Sequence, residues 1–228
     1  MKKMFALIAL AGLCGAAQAA QTYTDSLNDV NVGGDSPTWN WVDIDSVTMS
    51  NDATNVYVSI KMRGNGADWA KYGMQIDIDG DVSGTTSPGW ARPNIGSAML
   101  MDKWIGTWAD GGGGGQLWDY NGSWNLTGGL SPDYSNFFGG DGNEIKWTIS
   151  LAWLGLNIGD SFAFDLITTG GGDNDGGWDH LSNLASSSND YGALSQPGDP
   201  LVYTLVIPTP GSLALLGMGG LLAARRRR

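Results

Sequence analysis

Apolar and polar residues alternate over many short stretches of this chain. Val56, Val58, Ile60 and Met62 fall on one face of such a stretch, and similar faces run through residues 72–78 and 145–151. Because successive side chains of a strand point to opposite faces, this alternation predicts strands with one buried face. Further strands are predicted at residues 44–49, 98–102, 104–109, 116–120, 162–166 and 202–207, with one helical turn at residues 152–156.

Turn-forming residues separate the predicted strands. The chain of 228 residues contains 36 glycines, and Glu144 is the only glutamate among its 23 acidic residues. Glycine and aspartate favour turns, whereas glutamate favours helices. The sequence therefore predicts an all-β fold, an antiparallel β-sandwich of jelly-roll type.

Charge is distributed unevenly along the chain. All 23 acidic residues lie between Asp25 and Asp199, together with only six of the twelve basic residues, so this part carries a charge near −17. Such a surface repels nucleic acid and attracts cations. We expect no nucleic-acid partner.

The N-terminus has the three parts of a secretory signal peptide. Lys2 and Lys3 precede a short apolar run at residues 5–13, and small residues follow at Ala17 and Ala19. We expect export and cleavage by signal peptidase after Ala19. The alternatives are an N-terminal anchor helix and a lipoprotein lipidated at Cys14, for which the preceding leucine is unsuitable.

The C-terminus combines a proline motif, an apolar segment and a basic cluster. These parts are Pro208, Thr209 and Pro210, then residues 213–224, then Arg225, Arg226, Arg227 and Arg228. The apolar helix predicted here would span about 20 Å, short of a bilayer core of about 30 Å. By the positive-inside rule, the arginines would hold its end in the cytoplasm.

This C-terminal arrangement resembles the PEP-CTERM sorting signal of exported bacterial proteins. The resemblance covers residues 206–228, and Thr209 stands where the family motif has glutamate. It implies an exosortase partner, transient anchoring in the membrane by the C-terminal helix, and release to the cell surface or extracellular matrix. An ordinary tail anchor is the alternative. The predicted division is a signal peptide at 1–19, a β-sandwich at 20–205 and a sorting tail at 206–228.

The middle of the chain resembles the family-nine carbohydrate-binding-module-like and DOMON-like sandwiches. The resemblance rests on the order of loosely defined segments, at residues 25–35, 43–50, 51–62, 72–81, 144–156 and 161–182. It implies a non-catalytic surface domain that in many cases binds sugars.

Two acidic segments are candidate calcium sites. Asp77, Asp79 and Asp81 surround a glycine, and calcium prefers such oxygen ligands. A solvated acidic turn is the alternative. The second segment holds Asp173, Asp175 and Asp179, where a plain loop is the alternative. We expect calcium, if bound, to be structural. Neighbouring His180, the only histidine, is expected at the surface.

Tryptophans supply the candidate ligand contacts, because flat aromatic faces can stack on sugar rings. Each could instead belong to the core. The candidates in the glycine-rich middle and the second acidic segment are Trp90, Trp104, Trp108, Trp118, Trp124 and Trp178.

Catalytic signatures are lacking in the sequence. The part after Ala19 has no cysteine and no Gly-x-Ser-x-Gly motif, and its acids lie in polar turns that keep carboxylates ionised. We therefore expect a non-catalytic surface or matrix protein that binds polysaccharide. The alternatives are a structural acidic matrix protein without a specific ligand and, less favoured, a glycan hydrolase.

Overall fold

The computed structural model describes residues 20–34, 39–66, 69–138 and 142–206. The predicted signal peptide, expected to be helical, and the predicted sorting residues after Val206, with their expected apolar helix, lie outside these ranges. In the described ranges no helix has the length and apolar character needed to cross a bilayer.

Eleven strands form the described fold. They are β1 (Gln21–Thr24), β2 (Ile44–Asn51), β3 (Asn55–Met62), β4 (Lys71–Asp77), β5 (Lys103–Trp108), β6 (Gly114–Tyr120), β7 (Trp124–Leu130), β8 (Glu144–Ser150), β9 (Ser161–Thr169), β10 (Asp179–His180) and β11 (Leu201–Thr204). One sheet has the order β1-β2-β3-β8. The other has the order β10-β9-β4-β5-β6-β7, with β11 also paired to β9. Every pairing is antiparallel.

The main core lies between the two sheets and follows the predicted alternation. Val56, Val58, Ile60 and Met62 of β3 are buried, whereas the polar or aromatic residues between them are half-buried or exposed. The seven-stranded sheet contributes Tyr72, Met74 and Ile76 of β4 and their neighbours on β5 and β9. The prediction of an all-β fold with two antiparallel sheets is confirmed.

The outer face of the seven-stranded sheet carries a second, smaller core. Loops at residues 78–102 and 181–200 fold over this face, and Ile95, Met99 and Met101 pack there against Trp104 and Ile167. The strand predicted at residues 98–102 is therefore wrong, because these residues form only an isolated bridge, Thr85 to Met101. Their apolar side chains cover the sheet instead of extending it.

The helical turn α1 (Leu151–Leu154) comes directly after β8. The Ser150 side chain accepts a hydrogen bond from the backbone N–H of Ala152, and Gly155 ends the turn in the left-handed region at φ 74°. This is the behaviour expected of an N-cap serine and a C-terminal glycine. The turn begins one residue before the predicted range of 152–156 and ends two residues before its end.

Candidate functional site

A cleft of about 280 Å³ opens on the outer face of the seven-stranded sheet, and we call it the tryptophan cleft. Lys71 at the start of β4 pairs with Trp108 at the end of β5, which places the cleft at one end of the sheet. Trp90 and Trp108 are both partly exposed. The lining residues are Lys71, Trp90, Arg92, Trp108, Gln116 and Asp173.

Two glycines make room for the tryptophan rings. A Cβ atom on Gly114 would lie 2.6 Å from the ring of Trp108, and a Cβ atom on Gly106 would overlap the ring of Trp90. Real Cβ atoms do not approach other heavy atoms so closely, so a side chain at either position would displace a ring. Glycines in the strands therefore let both rings lie close against the sheet.

Trp90 is held in place by its neighbours. Its indole N–H donates to Gln116 Oε1 at 2.9 Å, and its ring meets Trp104 edge-on with centroids 5.7 Å apart. The Arg92 guanidinium lies 5.2 Å from the Trp90 centroid and donates to the Thr169 hydroxyl at 3.1 Å. These contacts order one wall of the cleft before any ligand arrives.

The cleft combines aromatic faces with donors and acceptors. Gln116 Oε1 also accepts from the indole N–H of Trp118 at 3.3 Å, which leaves the Gln116 amide nitrogen to donate. Lys71 is ion-paired with Asp110 at 2.7 Å, and Asp173 supplies a carboxylate. A few polar groups beside apolar walls suit a polyhydroxylated ring.

Two of the six candidate tryptophans are buried. Trp104 has no exposed surface, and Trp178 is 3 % exposed within an edge-to-face cluster with Trp39, Trp69 and Tyr191. Neither can stack on a sugar, so these two predictions are wrong. The loops over the sheet bury Trp104, a tertiary effect that strand patterns do not reveal.

Trp118 and Trp124 keep partial exposure outside the cleft. Both pack against the second core, and the indole N–H of Trp124 donates to the Ser87 carbonyl oxygen at 2.8 Å. Their role as ligand contacts stays a prediction.

The first predicted cation site forms a hydrogen-bonded turn, which we call the β4 acidic turn (Asp77, Asp79 and Asp102). Asp77 is 3 % exposed, and its carboxylate accepts the backbone N–H groups of Asp79, Gly80 and Asp81 at 2.9–3.0 Å. Carboxylate oxygens of the three members lie within 4.8 Å of one another. Asp102 replaces Asp81 in this group.

The remaining contacts of the β4 acidic turn also come from the protein. The Ser83 hydroxyl donates to Asp79 at 2.7 Å and holds the pKa of this carboxyl below its usual value. Asp102 accepts the N–H of Ile78 at 2.9 Å. Asp81 turns away, and its carboxylate accepts the N–H of Leu100 at 2.7 Å.

The second predicted cation site does not assemble. Asp173 lines the tryptophan cleft, and Asp175 accepts the N–H of Gly172 at 2.8 Å within its own loop. Asp179 lies in β10, is 1 % exposed, and accepts the N–H of Ile44 at 2.7 Å. The prediction of a shared site is wrong because β10 draws Asp179 into the sheet.

Asp179 belongs instead to an inter-sheet acidic cluster (Asp25, Asp29 and Asp179). Carboxylate oxygens of these three residues lie within 4.8 Å of one another. Burial raises the pKa of Asp25 to about 8 and that of Asp29 to about 6, and it raises the pKa of Asp179 well above its usual value. Asp43, fully buried, lies beside the cluster and pairs with Arg63 at 2.8 Å.

His180 is buried, contrary to the expectation of a surface position. Its Nδ1 lies 2.6 Å from Asp165 Oδ2, and its Nε2 lies 2.9 Å from Ser195 Oγ. All three residues are at most 1 % exposed. The backbone N–H of Gly96 also donates to Ser195 Oγ at 2.9 Å, so the serine hydroxyl bonds both Gly96 and His180.

This Asp–His–Ser chain has the contact order of serine hydrolases. No sequence motif predicted it, because Asp165 and Ser195 lie fifteen residues from His180 on either side. A groove of about 520 Å³ runs beside Ser195, between residues 86–97 and 194–197. The burial of the serine nevertheless indicates a structural network.

No match to this chain was found among protein-family profiles, curated proteins or solved structures.

Proposed function

We propose that this chain is an exported, non-catalytic surface or matrix protein that binds polysaccharide in the tryptophan cleft. The observation that carries the proposal is the pairing of two partly exposed indole rings, Trp90 and Trp108, with polar groups in one concave site. Aromatic rings supply apolar contact area at little entropic cost, and the polar groups orient a ligand.

The cleft suits a neutral sugar better than a charged ligand. Both cationic side chains of the cleft already have acceptors, since Lys71 pairs with Asp110 and Arg92 donates to the end of β9. The exposed carboxylate of Asp173 opposes anions. Ring stacking and hydrogen bonds to hydroxyl groups therefore dominate the expected recognition.

Export rests on the two ends of the chain. The basic and apolar start before Ala19 and the arginines after residue 224 are the features of a signal peptide and a sorting tail. In this proposal signal peptidase and an exosortase process the chain, and the jelly-roll-like, family-nine-like sandwich is the delivered domain. Fractionation with mass spectrometry of the N-terminus tests this; an uncut cytoplasmic product contradicts it.

A polysaccharide panel tests binding. We expect affinity electrophoresis to show retardation by at least one neutral polysaccharide, and Trp108→Ala to weaken binding by about 10- to 100-fold, as for a central aromatic contact. Retention of the unaltered protein by none of the polysaccharides would instead favour a structural matrix protein without a specific ligand.

Trp153→Ala is the matched control. Trp153 is also partly exposed, but it lies in α1, where its indole N–H donates to Thr127 and Lys103 Nζ lies 4.9 Å from its ring centroid. We expect this variant to bind as the unaltered protein does. Equal losses in both variants, with both folded by circular dichroism, would contradict a specific role of the cleft.

A hydrolase is the second candidate, because His180 bonds Asp165 through Nδ1 and Ser195 through Nε2. A fluorophosphonate probe discriminates the two functions: a catalytic serine forms an adduct at Ser195, whereas a buried structural serine does not. We expect no adduct, and Ser195→Ala to lower the free energy of unfolding by about 1 kcal/mol through the lost hydrogen bonds.

A further inference from the structure

The inter-sheet acidic cluster contains buried carboxylate oxygens that no protein group satisfies. Within the described residues, Asp25 Oδ2, both carboxylate oxygens of Asp29 and Asp179 Oδ1 are buried without a hydrogen-bond partner. Asp43 Oδ1, beside the cluster, is also buried without a hydrogen-bond partner among these residues. Buried polar groups are almost always paired, so five such oxygens in one place point to a missing partner.

We propose that the inter-sheet acidic cluster binds one divalent cation, best suited to calcium, through Asp25, Asp29 and Asp179. Asp179 provides the decisive observation. It is only 1 % exposed, and its Oδ1 atom has no hydrogen-bond partner among the described residues, in a group of ligand atoms that lie within 4.8 Å of one another. A single cation reaches oxygens at that spacing simultaneously.

The chemistry of the donors selects the ion. The group offers only carboxylate oxygens, whereas zinc and other transition metals favour nitrogen and sulfur ligands. Calcium accepts six to eight oxygens in an irregular arrangement, but magnesium demands a near-ideal octahedron and retains water. Crowded carboxylates at the edge of two sheets therefore match calcium.

The excess of carboxylates over cationic groups near the cluster also favours a bound cation. Arg63 is the cation that pairs with Asp43, at 2.8 Å, and it also donates to Asn40 at 2.8 Å. The Arg63 guanidinium acts on Asp29 and Asp43, whereas the charges that act on Asp25 and Asp179 are those of neighbouring aspartates. A divalent cation offsets the repulsion that would otherwise oppose folding.

The position of the cluster gives the ion a structural task. Asp25 and Asp29 follow β1, Asp43 precedes β2, and Asp179 belongs to β10 of the other sheet. Asp179 also accepts the N–H of Ile44 at 2.7 Å, so it already crosses between the sheets. A bound cation would fasten the N-terminal segment to both sheets, which stabilises the folded state alone.

Calorimetry of the purified full chain tests the site. After chelation and verification of metal removal by mass spectrometry, we expect calcium at about 100 times its dissociation constant to raise Tm by about 5–10 °C. Magnesium should raise Tm less, and titration calorimetry should give one calcium per chain. An unchanged Tm of folded, metal-free protein in millimolar calcium would overturn the proposal.

Asp29→Asn locates the ion. Neither carboxylate oxygen of Asp29 has a hydrogen-bond partner among the described residues, so this nearly isosteric change mainly removes a ligand charge. We expect most of the calcium-induced rise in Tm to disappear, whereas the metal-free variant melts at or above the unaltered metal-free protein because one crowded charge is gone. Asp25→Asn provides a second variant should Asp29→Asn fail to fold.

Asp79→Asn is the matched control in the β4 acidic turn, where the protein itself supplies the donors. We expect this variant to keep the full response to calcium. Loss of the response in Asp79→Asn with retention in Asp29→Asn would overturn the assignment and place the ion at the β4 acidic turn.

Discussion

The β4 acidic turn and the inter-sheet acidic cluster each bring three aspartates within 4.8 Å, yet their surroundings differ. In the turn, backbone N–H groups and a serine hydroxyl donate to the carboxylates of Asp77 and Asp79. In the cluster, Asp25, Asp29 and Asp179 each have at least one buried carboxylate oxygen without a donor among the described residues. Proximity of acids is thus a poor guide to cation binding, and unsatisfied oxygens are the better one.

The largest expected effect comes from Asp179→Ala. In calcium we expect a loss of about 3 kcal/mol in the free energy of unfolding, since the change removes a cation ligand and the acceptor for the Ile44 N–H. In chelator the loss should fall below about 1 kcal/mol, because relief of the unfavourable burial of this carboxyl offsets the lost hydrogen bond. Urea unfolding in both buffers measures the difference; equal losses would contradict the distinction between the two regions.

Asp77→Ala is the corresponding change in the β4 acidic turn. We expect a loss of about 2 kcal/mol, because three backbone N–H groups lose their acceptor. The loss should be the same in calcium and in chelator. Asp77→Asn, which keeps one acceptor oxygen, should lose about half as much by the same argument. A calcium-dependent loss would show that the turn binds the ion.

The smallest effect is expected at Asp52, which lies in the turn between β2 and β3. Its carboxylate accepts the Tyr57 hydroxyl and the N–H groups of Thr54 and Asn55, and these hydrogen bonds, the Tyr57 one foremost, hold its pKa below the usual value. We expect Asp52→Asn to cost less than about 1 kcal/mol at pH 7.

The pH dependence of this small effect has a definite sign. A lowered pKa in the folded state gives stability that is present above the unfolded value of about 3.9 and is lost as pH falls towards the folded value. Urea unfolding of both proteins from pH 7 to pH 3 should show the difference shrinking in acid. A difference that grows in acid would contradict the assigned hydrogen bonds.

Much of the fold could be predicted because alternation is local. The apolar faces of β3, β4 and β8 are legible in the sequence, and each is buried as expected. β7 was not predicted, since Trp124–Leu130 holds two glycines and lacks regular alternation. β10 has two residues and depends on its partner β9, so no local pattern could indicate it.

The sites also differ in whether local sequence or tertiary packing brings their residues together. Asp77 and Asp79 are neighbours in the chain, so sequence spacing brought them together correctly. Asp25 and Asp179 meet only because two sheets pack, and no spacing predicts that contact. Among the tryptophans, the sequence indicated Trp90, Trp104 and Trp108 alike as ligand contacts. Only the path of the covering loops determines that Trp104 is buried whereas Trp90 and Trp108 line the cleft.

The length of β9 sets the distance between the last described residues and the tryptophan cleft. Ser161 pairs with Thr204, close to where the described chain ends, whereas Thr169 at the other end contacts Arg92 of the tryptophan cleft. Eight steps of about 3.3 Å separate these positions by about 26 Å. The tryptophan cleft and the last described residues therefore lie far apart, so a partner that holds the chain at residue 206 would leave the cleft uncovered.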